Sequence, residues 1–119
     1  MGKTIYKFDM EELLSNKSIE FIVILKEKEI VGYSIIRYTE IINMNLINDR
    51  YFAYMEEICI GGEHRGQGLG KILFNYCYDL VKDKGAEGLE LGVWSFNKSA
   101  IEFYKSMGMV EMTIRMEKK

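Results

Sequence analysis

Glu63-His64-Arg65-Gly66-Gln67-Gly68-Leu69-Gly70-Lys71 is the stretch on which the chain turns. It follows an apolar run, Tyr54-Met55-Glu56-Glu57-Ile58-Cys59-Ile60, and precedes a segment with helical periodicity. Strand, glycine-rich turn and helix in that order aim backbone N–H groups at an anion. The first N–H groups of a helix lack internal partners, and the aligned peptide dipoles place about half a positive charge there. Gly66, Gly68 and Gly70 remove the Cβ atoms that would hold a ligand away from those amides.

Spacing excludes two common phosphate loops. A P-loop needs G-x-x-x-x-G-K-[ST], whereas Arg65 stands five before Gly70 and Ile72 follows Lys71. A dinucleotide fingerprint needs G-x-G-x-x-G, and the third glycine is missing from either start. What remains is Arg65-x-x-Gly68-x-Gly70 after a strand, an anion site of another kind.

Composition narrows the class. The 119 residues suit a single domain, residues 1–119, with one core. No apolar run approaches the roughly 20 residues of a membrane span, and the first residues lack the apolar core of a signal peptide. Cys59, Cys77 and His64 make no metal-ligand spacing, so no metal is expected, and both thiols read as small buried hydrophobes in a reducing cytoplasm. A net charge of −2 without a basic block argues against nucleic acid.

Periodicity supplies the elements. Short strands are expected at Thr4–Phe8 and Ile19–Leu25, with one or two helical turns between them capped by Asp9. Glu27-Lys28-Glu29 makes a polar turn into a strand from Ile30 to Tyr38, with Gly32 marking a bulge or a close approach. Thr39 to Arg50 shows no clean period and reads as irregular or as an extension of the hairpin; a third main strand follows from Phe52 to Ile60. Leu69, Ile72, Leu73, Tyr76, Leu80 and Val81 form one helical stripe that Gly85 ends. Leu89–Trp94 reads as a strand, Asn97–Met107 as a capped helix stopped by Gly108, and Met109–Glu117 as a closing strand. Strand, helix, strand implies a parallel crossover, so the class is α/β (or α+β) with a mixed sheet.

Taken together, Arg65-x-x-Gly68-x-Gly70, the strand ending in Val93-Trp94, and Asn97-x-x-Ala100-x-x-Phe103-Tyr104-x-x-x-Gly108 resemble the GNAT superfamily of acyl-CoA-dependent N-acetyltransferases. The resemblance runs from about residue 19 onward. It implies a mixed sheet with helices on both faces and central strands that splay apart. Pantetheine would lie in that gap against Ile58, Cys59 and Ile60. The pyrophosphate would sit on Arg65, Gly66, Gln67, Gly68, Leu69, Gly70 and Lys71, and Asn97 would meet pantetheine. It further implies acetyl-CoA as co-substrate, a primary amine as acceptor, an oxyanion donor at the Ile58 N–H, and Tyr104 as the acid that protonates the departing thiolate.

Side-chain alternation puts Glu56 on one face with Tyr54, Ile58 and Ile60, and Glu57 on the other; a bulge would reverse this. Polyamine acetyltransferases of the family place a base at the position matching Glu56. The catalytic glutamate of bacterial ribosomal-protein N-terminal acetyltransferases is replaced by Gly92, which argues against that subgroup's mechanism. Some 18 residues precede Ile19, fewer than the two helices that wall the acceptor site in family members, so a homodimer is expected to complete it. A small cationic amine fits the acidic strand and the net charge. Two other readings stay open: a non-catalytic acyl-CoA-binding module, and a protein-directed acetyltransferase completed by a partner.

Overall fold

The computed structural model describes residues 3–9, 18–41 and 50–119. Among the described residues five strands form one sheet in sequence order: β1 (Lys3–Asp9), β2 (Ile19–Lys26), β3 (Glu29–Ile41), β4 (Arg50–Ile60) and β5 (Leu89–Glu90). The first four are antiparallel neighbours, and β5 joins β4 in parallel. Helix α1 (Leu69–Asp83) makes the crossover from β4 to β5, and α2 (Lys98–Ser106) follows β5. This is the expected α/β class with a mixed sheet. The helical turns expected after Asp9 lie outside the described residues.

The core lies between the sheet and α1. Ile22 and Ile24 of β2, Ile36 of β3 and Ala53 and Met55 of β4 meet Leu69, Leu73, Phe74, Cys77 and Val81 of α1. All are buried. Burial pushes the Cys77 thiol up to about 12, which keeps it neutral and unreactive at physiological pH. A buried carboxylate, Glu20, is met by Lys84 Nζ at 3.2 Å and ties the end of α1 to β2.

Both helices end as their glycines require. Ala86 N–H donates to Val81 O and Gly85 N–H to Lys82 O; Met109 N–H donates to Tyr104 O and Gly108 N–H to Lys105 O. These are two Schellman motifs, which satisfy carbonyls the helices leave open. Asn97 caps α2, its side chain accepting from Ala100 N–H at 3.2 Å.

One open reading resolves as an extension of the hairpin, and two expectations shift. The hairpin between Thr39 and Arg50 is ladder at both ends, since Ile41 faces Arg50. Strand pairing of β5 covers only Leu89 and Glu90, and residues 91–94 run on without a ladder partner among the described residues. Residues 109–119 form no strand: Val110, Met112, Ile114 and Met116 alternate as a strand would, yet they are exposed. Alternation supplies propensity, but a strand exists only where a ladder accepts its backbone groups.

Gly32 is the close approach expected of it. Val31 is the extra residue of a bulge, because Gly32 faces Ile24 and Ile30 faces Leu25. A Cβ on Gly32 would stand 2.6 Å from Ile60 Cδ1 and 2.7 Å from the Cys59 carbonyl oxygen. The isoleucine tip can turn aside, but the Cys59 carbonyl belongs to the β3–β4 ladder and cannot, so Gly32→Ala is expected to cost about 1–3 kcal/mol. Urea unfolding with an unchanged midpoint would show that the contact is not tight.

Candidate functional site

The site grows from the point where the sheet opens. Strand β4 is paired to β5 only at Ala53 with Leu89 and Tyr54 with Glu90, then continues to Ile60. Ala53 N–H donates across this side to Gly88 O at 3.0 Å. On the opposite side the Glu57 carbonyl accepts from Ser34 Oγ of β3 at 2.8 Å. Peptide groups alternate along a strand, so those of Ile58 and Ile60 turn toward the gap. Two cavities share this gap. One, about 310 Å³, is lined by Ile58, Cys59, Ile60, Gly70 and the α2 residues Asn97, Ala100, Phe103 and Tyr104. The other, about 220 Å³, adjoins it through Ile58, Asn97, Ala100 and Tyr104 and reaches Glu56, Glu57, Gly92 and Trp94.

At the outer end stands the glycine turn. A single 3-10 turn, Gly62–His64, leads through an extended Arg65 to Gly66 and Gly68, both at φ +79. That left-handed backbone is strained for residues with a Cβ, most of all β-branched ones, which is why the turn is written in glycine. Gly68 is the N-cap of α1, with no side-chain cap, and apart from its chain neighbours no atom of the described residues lies within 4 Å of where a Cβ on Gly66 or Gly68 would stand. Open space before an uncapped helix start is what an anion needs. Arg65 turns inward, its Nε donating to Ile60 O at 3.2 Å. Lys71 is exposed. A residue that local reading passes over also arrives here: Lys26, the last residue of β2, donates to Gln67 Oε1 at 2.7 Å. Only the hairpin's fold brings it to a loop 41 residues away.

At the inner end the two carboxylates depart from simple alternation. Ile35 faces Glu57 and the next residue, Ile36, faces Met55, so Glu56 is the extra residue of a bulge. Residues facing each other across a ladder share a side. Met55, Ile58 and Ile60 therefore lie toward α1, while Glu57 shares the opposite side with Tyr54 and Cys59. Glu56 also reaches that side, its Oε1 lying 2.6 Å from Arg37 Nε. The expected grouping of Glu56 with Ile58 and Ile60 gives way because the bulge shifts the register by one. Glu57 accepts from the Tyr33 hydroxyl at 2.8 Å, which raises the phenol's pKa. The two glutamates thus differ: one faces a full cation and the other a neutral donor.

Tyr104 lines both cavities, half-buried, and its ring meets Phe74 of α1 at 6.1 Å. Burial raises its pKa, so the phenol keeps its proton through the neutral range. Gly92 stands where the ribosomal-protein enzymes are expected to carry a glutamate. A Cβ there would come 2.8 Å from the Tyr54 hydroxyl, so that hydroxyl already fills the place. His64 is partly buried in the 3-10 turn and lines neither cavity.

With this geometry in view, comparison with known proteins gives one answer. The model of the acetyltransferase (GNAT) family matches residues 3–109, and the chain belongs to that family. Bovine (Bos taurus) thialysine N-epsilon-acetyltransferase is 37% identical over 60 residues, which cover 50% of this chain and 35% of the relative. Ribosomal protein bS18-alanine N-acetyltransferase of Escherichia coli is 35% identical over 63 residues, covering 53% of this chain and 43% of the relative. The matches thus span less than half the length of these curated relatives. Among solved structures, a tetramutant protein from Bacillus halodurans superposes with a TM-score of 0.82 at 27% identity, over 89% of this chain and 69% of that one.

The glycine turn is directly testable. Gly68→Val sets a branched side chain at φ +79 and into the open space before α1. Coenzyme A binding measured by calorimetry should weaken at least tenfold, about 1.4 kcal/mol. A folded variant that binds as the parent does would remove this turn from the site.

Proposed function

We propose that the chain transfers an acetyl group from acetyl-CoA to a primary amine, by direct attack with both substrates bound. The observation that carries the reading is the gap beside β4, with an anion-ready turn at one end and carboxylates at the other. Pantetheine would pair with the backbone of Ile58 to Ile60 as an added strand does. Its pyrophosphate would rest on the amides from Arg65 to Lys71, with Lys26 and Lys71 as nearby cations and Asn97 beside the pantetheine arm.

The residues divide the chemistry. As the amine nitrogen bonds to the thioester carbon, charge grows on the carbonyl oxygen, and the Ile58 N–H would stabilise it. Donors of this kind are typically worth about 3–4 kcal/mol. An aliphatic amine is mostly protonated at neutral pH, so a proton must leave it. Of the two carboxylates we assign that step to Glu57, because Arg37 holds Glu56 in an ion pair. When the carbon–sulfur bond breaks, Tyr104 protonates the thiolate. Its raised pKa leaves the acid form intact well past neutrality, so the contribution of this acid is lost only at alkaline pH, as the phenol ionises above the ordinary tyrosine value of 10.0.

We also place the protein in the cytoplasm, where its two free thiols would stay reduced. No described helix is long and apolar enough to cross a membrane. Two copies are proposed to associate, because Val110, Met112, Ile114 and Met116 each expose a large apolar side chain to water.

Steady-state kinetics on single variants separate the roles. Glu57→Gln should lower kcat/KM by roughly 10²-fold, with the loss shrinking at high pH where free amine is abundant, and Glu56→Gln should cost less. The reverse order would exchange the two carboxylates. Tyr104→Phe should lower kcat by a similar factor; full activity in that variant would return the tyrosine to a packing role. No turnover with any amine, alongside intact coenzyme A binding, would leave a non-catalytic acyl-CoA module. For assembly, sedimentation should find dimers at high micromolar concentration, and a persistent monomer would refute the association.

A further inference from the structure

The inner cavity carries an imbalance of charge. Among the described residues that line it, Glu56 and Glu57 are ionisable carboxylates and none is Lys, Arg or His. Arg37 offsets Glu56 from outside the cavity, whereas among the described residues the Glu57 side chain receives a phenolic hydrogen bond and no cation. A net negative charge is therefore left facing the space where the acceptor would enter.

On the cavity's rim is a feature that packing does not explain. Trp94 is 75% exposed and stacks on Phe96, 76% exposed, with ring centroids 5.9 Å apart and planes 17° from parallel. Two large aromatic rings held in water forgo the burial that ordinarily places them. Their backbone is nonetheless pinned. Asn97 N–H donates to Trp94 O at 2.9 Å, and Lys98 N–H donates to Phe96 O at 3.0 Å, where the chain enters α2. The backbone that carries the two rings is thus set before any ligand arrives, which lowers the ordering cost of binding on them.

The face of an indole carries negative charge density and attracts cations, more strongly when a carboxylate shares the site. We propose that Trp94, backed by Phe96, holds a second, non-reacting cationic group of the acceptor, so that the preferred substrates are diamines. One amine is acetylated beside Glu57, while the other remains charged over the indole. This rests on the acetyltransferase reading above and names its acceptor class. An acidic acceptor would meet the carboxylates unfavourably, and a neutral one would make no use of them.

The test compares alkyl diamines of increasing chain length with monoamines of equal length, with acetyl-CoA as donor. At the best length, the full-length protein should prefer the diamine by roughly tenfold or more in kcat/KM. Trp94→Ala should lose most of that preference, through KM for the diamine rather than kcat, and Trp94→Phe should keep much of it. Amine turnover without diamine preference at any length, or a preference that survives Trp94→Ala, overturns this assignment alone. Absence of turnover with every amine overturns the acetyltransferase reading and this assignment with it.

Discussion

The ladder between β4 and β5 stops after two residue pairs, and the site depends on that stop. Beyond Tyr54 the backbone of β4 keeps its hydrogen-bonding groups but has no strand among the described residues to satisfy them on the β5 side. An open stretch of this kind is a liability in most sheets, because it invites another strand. Here α2 keeps the gap open without filling it. Its start is fixed by the Asn97 cap and its end by the Schellman motif at Gly108, while Phe103 and Tyr104 rest against Phe74 of α1. What lies between is a groove with polar backbone on one wall and aromatic side chains on the other.

Electrostatics gives this groove a direction. The uncapped start of α1 and the cations Lys26, Arg65 and Lys71 gather at its outer end. Glu56 and Glu57 lie at its inner end. A donor with phosphates at one end of an extended arm and an acceptor bearing positive charge would each find its own side. The polarity comes from two local irregularities of β4. Its C-terminal end breaks into the glycine turn, and its middle bulges at Glu56, so that neighbouring carboxylates face one side with different partners.

Burial then sorts the reactive groups by availability. Cys77 is sealed in the core with its thiol kept neutral, so it takes no part in chemistry at the gap. Tyr104 is only half-buried, enough to raise its pKa and still line both cavities. Two weakly acidic groups thus differ in access to the gap because of where the fold puts them.

Local chemistry in the sequence was enough to determine most elements. The stripe from Leu69 to Val81, the Asn97 cap, the stops at Gly85 and Gly108 and the left-handed Gly66 and Gly68 are properties of a few neighbouring residues, and they hold whatever surrounds them. The motif spacing from Arg65 to Gly70 and from Asn97 to Gly108 likewise pointed to the family. Only the tertiary structure decided what depends on distant partners. The bulge at Glu56 is a mismatch between two strands, so neither strand's pattern reveals which glutamate faces the gap. Lys26 reaches the glycine turn because the hairpin carries it there. Leu91 to Trp94 and Met109 to Glu117 have strand-like composition, but pairing is a property of two segments, and the ladder that would complete them is not formed among the described residues.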